Sequence, residues 1–224
     1  MQSIKKIYAV KYGETFISEA MAFKGGDRTK KLPISLIVYL IDMQDRRILV
    51  DAGCDTMPGF ELNHFYRPVE ALARAGISAA SITDVVITHA HHDHIEALKH
   101  FAHATVYLER NEYPEGKRFI PDGCKLVLFD DEMIIADGVR AVKIAGHSRG
   151  SCVVECEYKN KCFVICGDEC YHKDCIAKGI VTGSSVDEEK SLGFVQRYSD
   201  GTRYCTLLCH DADILPGQNG IVEL

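Results

Sequence analysis

The histidine cluster that follows the apolar run Val85–Ile87 is the part of this sequence best suited to metal chemistry. Four side chains that can bind metals, His89, His91, Asp93 and His94, occur within six consecutive positions. Imidazole and carboxylate groups together suit zinc or iron(II), whereas calcium sites are built mainly from oxygen ligands. In a loop between a strand and a helix, the first two histidines can point to one side, and Asp93 and His94 to another. The cluster therefore predicts a loop that serves two adjacent metal ions.

Two metal ions need more ligands than this cluster contains, so further ligands are expected from distant parts of the chain. Three polar residues, His147, Asp168 and His210, each follow an apolar run typical of a buried strand. In layered α/β folds, sites assemble where strands end. These three residues are therefore candidate ligands. His92, the remaining histidine of the cluster, is expected to face away from the metals or to line the pocket.

Short apolar runs outnumber helical segments along the chain, which indicates a layered α/β protein. Strands are predicted at 36–41, 48–50, 85–87, 106–108, 125–129, 139–144, 152–158 and 162–166. Helices are predicted from Pro68, from about Ile95 and after Ser185, where Ser185-Val-Asp-Glu188 matches a capping box.

The length and composition favour one ordinary globular domain over residues 1–224, with 46% hydrophobic and 26% charged residues. The net charge is −6 and no Lys/Arg run is present, so we expect no nucleic-acid partner. No apolar stretch approaches the roughly 20 residues of a membrane helix, and no signal-peptide core is visible. We therefore expect a cytoplasmic protein without a membrane partner. The ten cysteines include no Cys-x2-Cys pair and are expected to be mainly reduced core residues.

Five segments resemble those of the metallo-β-lactamase superfamily of binuclear metallohydrolases, in the family's order. They are Asp51-Ala-Gly53, His89-x-His91-x-Asp93-His94, Gly146-His147-Ser148-x-Gly150-Ser151, Gly167-Asp168 and His210-Asp211. The resemblance implies a four-layer αββα sandwich with a metal site at one edge of its two sheets. It implies that one metal binds His89, His91 and His147, that the other binds Asp93, His94 and His210, and that Asp168 bridges both. The metals would be two divalent ions, zinc in the first place and iron or manganese as alternatives, and Asp51 would orient a ligand histidine.

Within the superfamily, the sequence is most similar to the N-acyl homoserine lactonases, which carry a tyrosine three residues after the bridging aspartate. Here Asp168-Glu-Cys-Tyr171 places a tyrosine at that spacing. The resemblance implies that a metal-bridging hydroxide attacks a small-molecule lactone or related carboxylic ester. Tyr171 would donate a hydrogen bond to the carbonyl or oxyanion, and Asp93 would pass a proton to the leaving alkoxide.

Other chemistries remain open at this level. A thioesterase of the glyoxalase II type would act on a thioester by closely related steps. A persulfide dioxygenase would use a single iron, and the high cysteine content keeps this sulfur chemistry open. A metal sensor without activity has no positive support in the sequence. Gly146-His-Ser148-Arg-Gly150 also matches the Gly-x-Ser-x-Gly nucleophile elbow. That elbow needs a helix directly after the serine, whereas the residues after Ser151 predict a strand.

Overall fold

Two β-sheets form the centre of the protein in the computed structural model, which describes residues 3–215 and 219–224. The strands of this described part are β1 (Lys6–Ser18), β2 (Lys31–Asp42), β3 (Arg47–Val50), β4 (Asp84–Ile87), β5 (Thr105–Glu109), β6 (Lys125–Phe129), β7 (Glu132–Ala136), β8 (Val139–Lys143), β9 (Cys152–Tyr158), β10 (Lys161–Ile165), β11 (Tyr204–Leu207) and β12 (Gly220–Glu223). The first sheet has the order β12-β1-β2-β3-β4-β5-β6, and the second has the order β11-β10-β9-β8-β7.

The helices are short and lie mainly on the outer faces of the sheets. They are α1 (Glu19–Ala22), α2 (Pro68–Arg74), α3 (His92–Ile95), α4 (Tyr113–Gly116), α5 (Lys173–Lys178) and α6 (Glu188–Arg197), with 3-10 turns at Ala79–Ser81, Glu96–Phe101, Arg110–Glu112, Lys117–Phe119 and Gly167–Glu169. Within the described ranges, no helix has the length and apolar character needed to cross a membrane.

The side chains pack as four layers. One buried cluster joins the inner faces of the sheets, for example Tyr39 of β2 with Val154 of β9. A second cluster packs α2 and the 3-10 turn Glu96–Phe101 against the outer face of the first sheet, and a third packs α5 and α6 against the outer face of the second. Because strands alternate their side chains between faces, both sheets can be apolar on both sides. The predicted αββα sandwich is confirmed.

Strand direction brings the ends of distant segments to one edge of the sandwich. In the first sheet β3, β4, β5 and β6 are mutually parallel. In the second sheet β8 and β10 are both antiparallel to β9, and β11 is parallel to β10, so β8, β10 and β11 run in one direction. The residues that follow these strands therefore share an edge in each sheet, as a site built from strand ends requires.

The predicted strands are all present, but two predicted helix starts differ from the structure. The Ser185 capping box is wrong: α6 begins at Glu188, and its N-cap is Asp187, whose carboxylate accepts from the Lys190 N–H at 3.2 Å. The Ser185 hydroxyl instead donates to the carbonyl of Gly146 at 3.0 Å. The helix expected from Ile95 begins earlier, as α3 at His92–Ile95, and continues as a 3-10 turn.

Candidate metal centre

All seven residues predicted as metal ligands lie together at the shared edge of the sandwich. Their nitrogen and oxygen atoms form two groups, and within each group these atoms lie within 4.8 Å of one another. The first group contains His89, His91, His147 and Asp168, and the second contains Asp93, His94 and His210. The loop after β4 and the adjoining α3 supply four of them, and the segments after β8, β10 and β11 supply the rest. The sequence pattern therefore identified one spatial cluster.

Asp168 lies between the two groups and presents one carboxylate oxygen to each. Its Oδ2 is 3.6 Å from Nε2 of His89 and 3.5 Å from Nε2 of His147. Its Oδ1 is 3.0 Å from Nε2 of both His94 and His210. The side chain is only 3% exposed. A carboxylate in this position can contact two ions at once, one through each oxygen.

Gly167 allows Asp168 to approach the end of β4 closely. Its φ is +52°, in the left-handed region, and an added Cβ would lie 2.8 Å from Oγ1 of Thr88. Because both the conformation and the space favour glycine, a larger residue would displace the turn that carries Asp168. The Gly-Asp pair in the sequence thus has a steric basis.

Several buried polar atoms are directed into this cluster without a hydrogen-bond partner in the described part of the chain, as expected at a site that binds a cation. The Nε2 atoms of His89, His94 and His210 and the Oδ1 of Asp168 are buried, and among the described residues none has a hydrogen-bond partner. A buried polar atom without a partner costs about 1–3 kcal/mol. Their convergence, with imidazole nitrogens as the main donors, fits zinc or a related divalent ion.

The opposite ring nitrogens of these histidines are held by neighbouring groups. Nδ1 of His94 is 2.7 Å from Oδ2 of Asp51, and Nδ1 of His210 is 3.0 Å from the carbonyl of Ser35. Nδ1 of His89 is 3.1 Å from Oγ1 of Thr88, whose hydroxyl donates to Asp51. Since each Nδ1 faces an acceptor, its proton stays there, and the Nε2 lone pair is directed to the centre. Asp51 therefore supports one histidine directly and another through Thr88.

The charges at the centre are strongly coupled. Burial lowers the pKa of His89 well below its usual value and lowers that of His147 to about 4. Burial also acts to lower the pKa of His94 and His210, but the nearby carboxylates, with Asp168 the largest contributor, together outweigh burial and raise both. Burial acts to raise the pKa of Asp168, yet His94 and His210 hold it well below the usual value. Asp168 is therefore an ionised carboxylate at neutral pH.

The two residues predicted to take part in the chemistry, Tyr171 and Asp93, border the centre from different sides. The phenol of Tyr171 donates to Oδ2 of Asp168 at 2.5 Å, and its ring stacks on His210 with centroids 5.1 Å apart. Burial raises the pKa of Tyr171 well above its usual value, so the phenol keeps its proton. Oδ2 of Asp93 is 3.7 Å from Nε2 of both His94 and His210. Tyr171 is therefore a hydrogen-bond donor and Asp93 a carboxylate at the second group.

A cavity of about 820 Å³ opens onto this centre. Seven of its lining residues form an apolar wall: Ile17, Met21, Ile34, Met57, Pro58, Phe60 and Val186. His92 lines the cavity, which is one of the two positions expected for it from the sequence. Its Nε2 is 2.7 Å from the carbonyl of Thr56. The cavity can therefore accept a ligand that has a polar reacting group and an apolar tail.

The nucleophile elbow considered from the sequence is not built in the structure. Strand β9 follows the Gly146–Gly150 segment where the elbow requires a helix. The hydroxyl of Ser148 donates to Glu112 at 2.7 Å, while Nδ1 of His210 faces the carbonyl of Ser35. Ser148 thus lacks the histidine partner that would activate it.

Sequence reasoning missed two buried carboxylates beside the centre, Glu112 and Glu169. Oε1 of Glu169 accepts from the backbone N–H groups of Gly146 and His147, each at 3.1 Å, and from the Ser151 hydroxyl. Burial raises the pKa of Glu169 to about 7. Only its position directly after Asp168 could have drawn attention to Glu169, and nothing in the local sequence marks Glu112.

A family model described as the metallo-beta-lactamase superfamily matches residues 38–193. The chain belongs to this superfamily, and the predicted membership is confirmed. The predicted class, a metal-dependent hydrolase, is confirmed with it.

Solved structures of similar fold include N-acyl homoserine lactone hydrolases. One, with the product N-hexanoyl-L-homoserine bound at its catalytic metal centre, is 19% identical, with a TM-score of 0.81 over 95% of both chains. A mutant of B. thuringiensis AiiA with N-decanoyl-L-homoserine at its active site is 19% identical, with a TM-score of 0.82 over 95% of both chains. AidC, a dizinc quorum-quenching lactonase, is 16% identical, with a TM-score of 0.72 over 93% of this chain and 90% of that chain. At these identities the likeness shows a common fold.

Proposed function

We propose that this protein is a binuclear metal-dependent hydrolase that opens lactones or related carboxylic esters, with N-acyl homoserine lactones as the leading substrates. The observation that carries the proposal is the position of Asp168, whose two oxygens face two separate groups of metal-binding side chains. In a mononuclear site one of these oxygens would face histidines that hold no metal, whereas two cations would use both oxygens. Two metal positions therefore favour hydrolysis over the single-iron persulfide chemistry.

The ligand assignment follows the two groups. His89, His91 and His147 would hold one cation, Asp93, His94 and His210 the other, and Asp168 both. The imidazole-rich donor set favours zinc, with iron and manganese as alternatives. When bound, two divalent cations supply Lewis acidity and lower the pKa of water towards neutrality, which makes a hydroxide nucleophile available.

Tyr171 is suited to stabilise negative charge on the substrate's carbonyl oxygen. Its phenol is protonated, lines the cavity and already donates to a carboxylate at the centre. Stacking on His210 fixes the ring. The phenol can therefore redirect its hydrogen bond to a carbonyl oxygen by rotating the O–H group about its C–O bond. A donor held in place before the reaction stabilises an oxyanion at little reorganisation cost.

Asp93 is suited to carry the proton that the leaving alkoxide needs. Its side chain borders the cavity, and its Oδ2 faces the imidazoles of the second group. A carboxyl oxygen in this position can hold a proton and deliver it to the departing oxygen. Lactones and other esters match this arrangement because their leaving group is an oxygen that must be protonated.

The cavity supports a substrate with an acyl chain. Its apolar wall would bury methylene groups, each worth about 0.8 kcal/mol. Two structures of similar fold hold N-hexanoyl-L-homoserine and N-decanoyl-L-homoserine, which are opened acyl lactones. A small-molecule acyl lactone is therefore the substrate class that the pocket fits best.

The test is proton release, followed in a pH-stat, from a series of N-acyl homoserine lactones with zinc-loaded protein. Asp168→Asn should abolish release and lower the zinc content. Asp84→Asn is a matched control, because Asp84 is also a buried aspartate but stands at the opposite end of β4 from the histidine cluster. Asp84→Asn should keep two zinc ions per chain and the wild-type rate, after correction for the folded fraction.

Three results would contradict the proposal in different ways. An Asp168→Asn variant with two zinc ions and wild-type turnover would show that Asp168 does not bridge the metals. Wild-type protein with two zinc ions but no acid release from any lactone would exclude the lactonase activity, and thioesters would be assayed next. One iron per chain, with oxidation of a persulfide, would favour the dioxygenase alternative.

A further inference from the structure

We propose that Glu112 is a positioning residue that maintains one of the two metal positions, the one formed by His89, His91 and His147. The proposal rests on the binuclear site proposed above and deepens it. It assigns a role to a buried carboxylate that lies outside both groups of ligands. Its consequence is that the two metal ions can be lost separately.

Glu112 connects the two loops that carry these three histidines. It is 4% exposed and ends the 3-10 turn after β5. Its Oε2 accepts from the backbone N–H of Ala90 at 2.8 Å. Its Oε1 accepts from the hydroxyl of Ser148 and from the backbone N–H of Gly150, each at 2.7 Å. Ala90 lies between His89 and His91 in the sequence, and Ser148 directly follows His147.

The two loops belong to different sheets, so a connection between them sets the distance between the histidines. The Ala90 loop follows β4 of the first sheet, and the loop with Ser148 and Gly150 joins β8 to β9 of the second. Gly150 has no side chain, and an added Cβ would collide with Oε2 of Glu109 and lie 3.0 Å from Cγ of Glu112. The glycine therefore lets the second loop approach both Glu109 and Glu112 closely.

The second metal position has its own supports and receives no hydrogen bond from Glu112. Asp51 holds Nδ1 of His94, and the carbonyl of Ser35 faces Nδ1 of His210. Changes to outer partners of metal ligands commonly weaken metal affinity by about 10–100-fold. We therefore expect that loss of the Glu112 carboxylate weakens the first position by this factor and leaves the second within about twofold.

The geometry also predicts how a conservative variant behaves. A carboxylate accepts hydrogen bonds at both oxygens, whereas a glutamine side chain has one acceptor and one donor end. In Glu112→Gln, the amide group can still accept from Ser148 and Gly150, but it then presents N–H groups to the N–H of Ala90. The glutamine variant should thus lose affinity at the first position while keeping the shape of the side chain, and Glu112→Ala should lose more.

The experiment measures zinc retention per chain against a graded series of chelator concentrations. Glu155→Gln is the matched control, because Glu155 is 6% exposed and also accepts from several donors, Arg140, Arg197 and Tyr198. It belongs to β9, and its hydrogen-bond partners are not metal ligands. Glu112→Gln should release one zinc ion at about 10–100-fold lower chelator concentration than wild type. The second zinc ion, and both ions of the control, should be released as in wild type.

Two further backgrounds identify the position that is affected. With His210→Ala the remaining tight zinc occupies the first position, and adding Glu112→Gln should weaken it. With His147→Ala the remaining zinc occupies the second position, and adding Glu112→Gln should change its affinity by less than twofold. Equal effects in both backgrounds, or no effect in either, would overturn the role of Glu112.

The failure of the proposed function is distinguishable from the failure of this inference. Zinc retention is measured without substrate, so a wrong lactone assignment leaves the result for Glu112 intact. Wild-type protein that binds only one zinc ion would instead refute the binuclear site, and the selective role of Glu112 with it.

Discussion

Replacing Tyr171 by phenylalanine removes one hydroxyl group from the centre and leaves the aromatic ring. The ring is 6% exposed and stacks on His210 at an interplanar angle of 10°, and phenylalanine can keep this packing. The hydroxyl donates to Asp168, which is ionised. The variant therefore isolates one charge-assisted hydrogen bond at an unchanged site.

The size of the expected effect follows from that bond. A hydrogen bond to a charged group contributes about 1.5–3 kcal/mol, which corresponds to roughly 10–150-fold in a rate or a binding constant. If the Tyr171 phenol serves the transition state, kcat/KM for the lactone falls by this factor and zinc affinity stays within about twofold. If the phenol only orients Asp168, zinc affinity falls with it. We expect the first result, because Tyr171 lines the cavity and can reach a bound carbonyl group.

The assay combines initial rates in a pH-stat with zinc per chain on the same Tyr171→Phe preparation. Because the pKa of Tyr171 is raised well above its usual value, the rate difference should persist across neutral pH without a new ionisation. A variant whose kcat/KM lies within twofold of wild type would refute the assigned role. A variant that loses zinc and activity in parallel would make Tyr171 a support for Asp168.

Three further predictions follow from other parts of the structure. Asp51→Asn should weaken both zinc ions by about 10–100-fold in chelator competition, because Asp51 holds His94 directly and His89 through Thr88; an effect on one ion alone would contradict this. Phe60→Ala should flatten the rise of kcat/KM with acyl-chain length, which for wild type should approach fourfold per methylene, since Phe60 belongs to the apolar wall; an unchanged slope would place the chain elsewhere. Burial acts to raise the pKa of Glu155, but its hydrogen bonds with Arg140 and Tyr198 and the charges of the nearby arginines together outweigh burial and lower it, so the unfolded chain binds a proton first as pH falls. The difference in urea-unfolding free energy between wild type and Glu155→Gln should therefore stay constant above about pH 5 and shrink as pH falls below 4.5, the ordinary value. A difference that stays constant down to about pH 3 would be inconsistent with this lowered pKa.

The ligand residues could be predicted because each follows a hydrophobic run in the chain. Asp168 follows β10 and His210 follows β11, two parallel strands of one sheet. His89 follows β4, a strand between two parallel neighbours. Parallel strands end at a common edge, so a polar residue after each of them reaches the same region. The positions of these polar residues after predicted strands were therefore enough to predict that they lie in one cluster.

Apart from Asp51, which the family resemblance implied, the supports of the ligands could not be predicted in the same way. Glu112 and Glu169 bind backbone N–H groups of distant loops, and any loop residue offers such a donor, so no local residue pattern marks the contact. Ser185 illustrates the converse error. The local sequence matched a capping box, but the Ser185 hydroxyl donates to a distant acceptor, the carbonyl of Gly146. Strand β1 was missed because its polar residues interrupt the apolar pattern, and a bulge between Lys11 and Gly13 breaks the alternation.

Backbone conformation at Asp51 shows why these supports matter. Asp51 has a φ of +61°, which a residue other than glycine adopts at a cost of about 1–3 kcal/mol. In this conformation its carboxylate accepts from the N–H and hydroxyl of Thr88, and it faces Nδ1 of His94. Three hydrogen bonds to one buried carboxylate can offset the strain, so the strained turn and the ligand orientation stabilise each other. A site built in this way depends on residues that hold the ligands in place, and Asp51 and Glu112 differ in which ligands they hold. Asp51 supports histidines of both metal positions, whereas Glu112 supports the loops of the first position only.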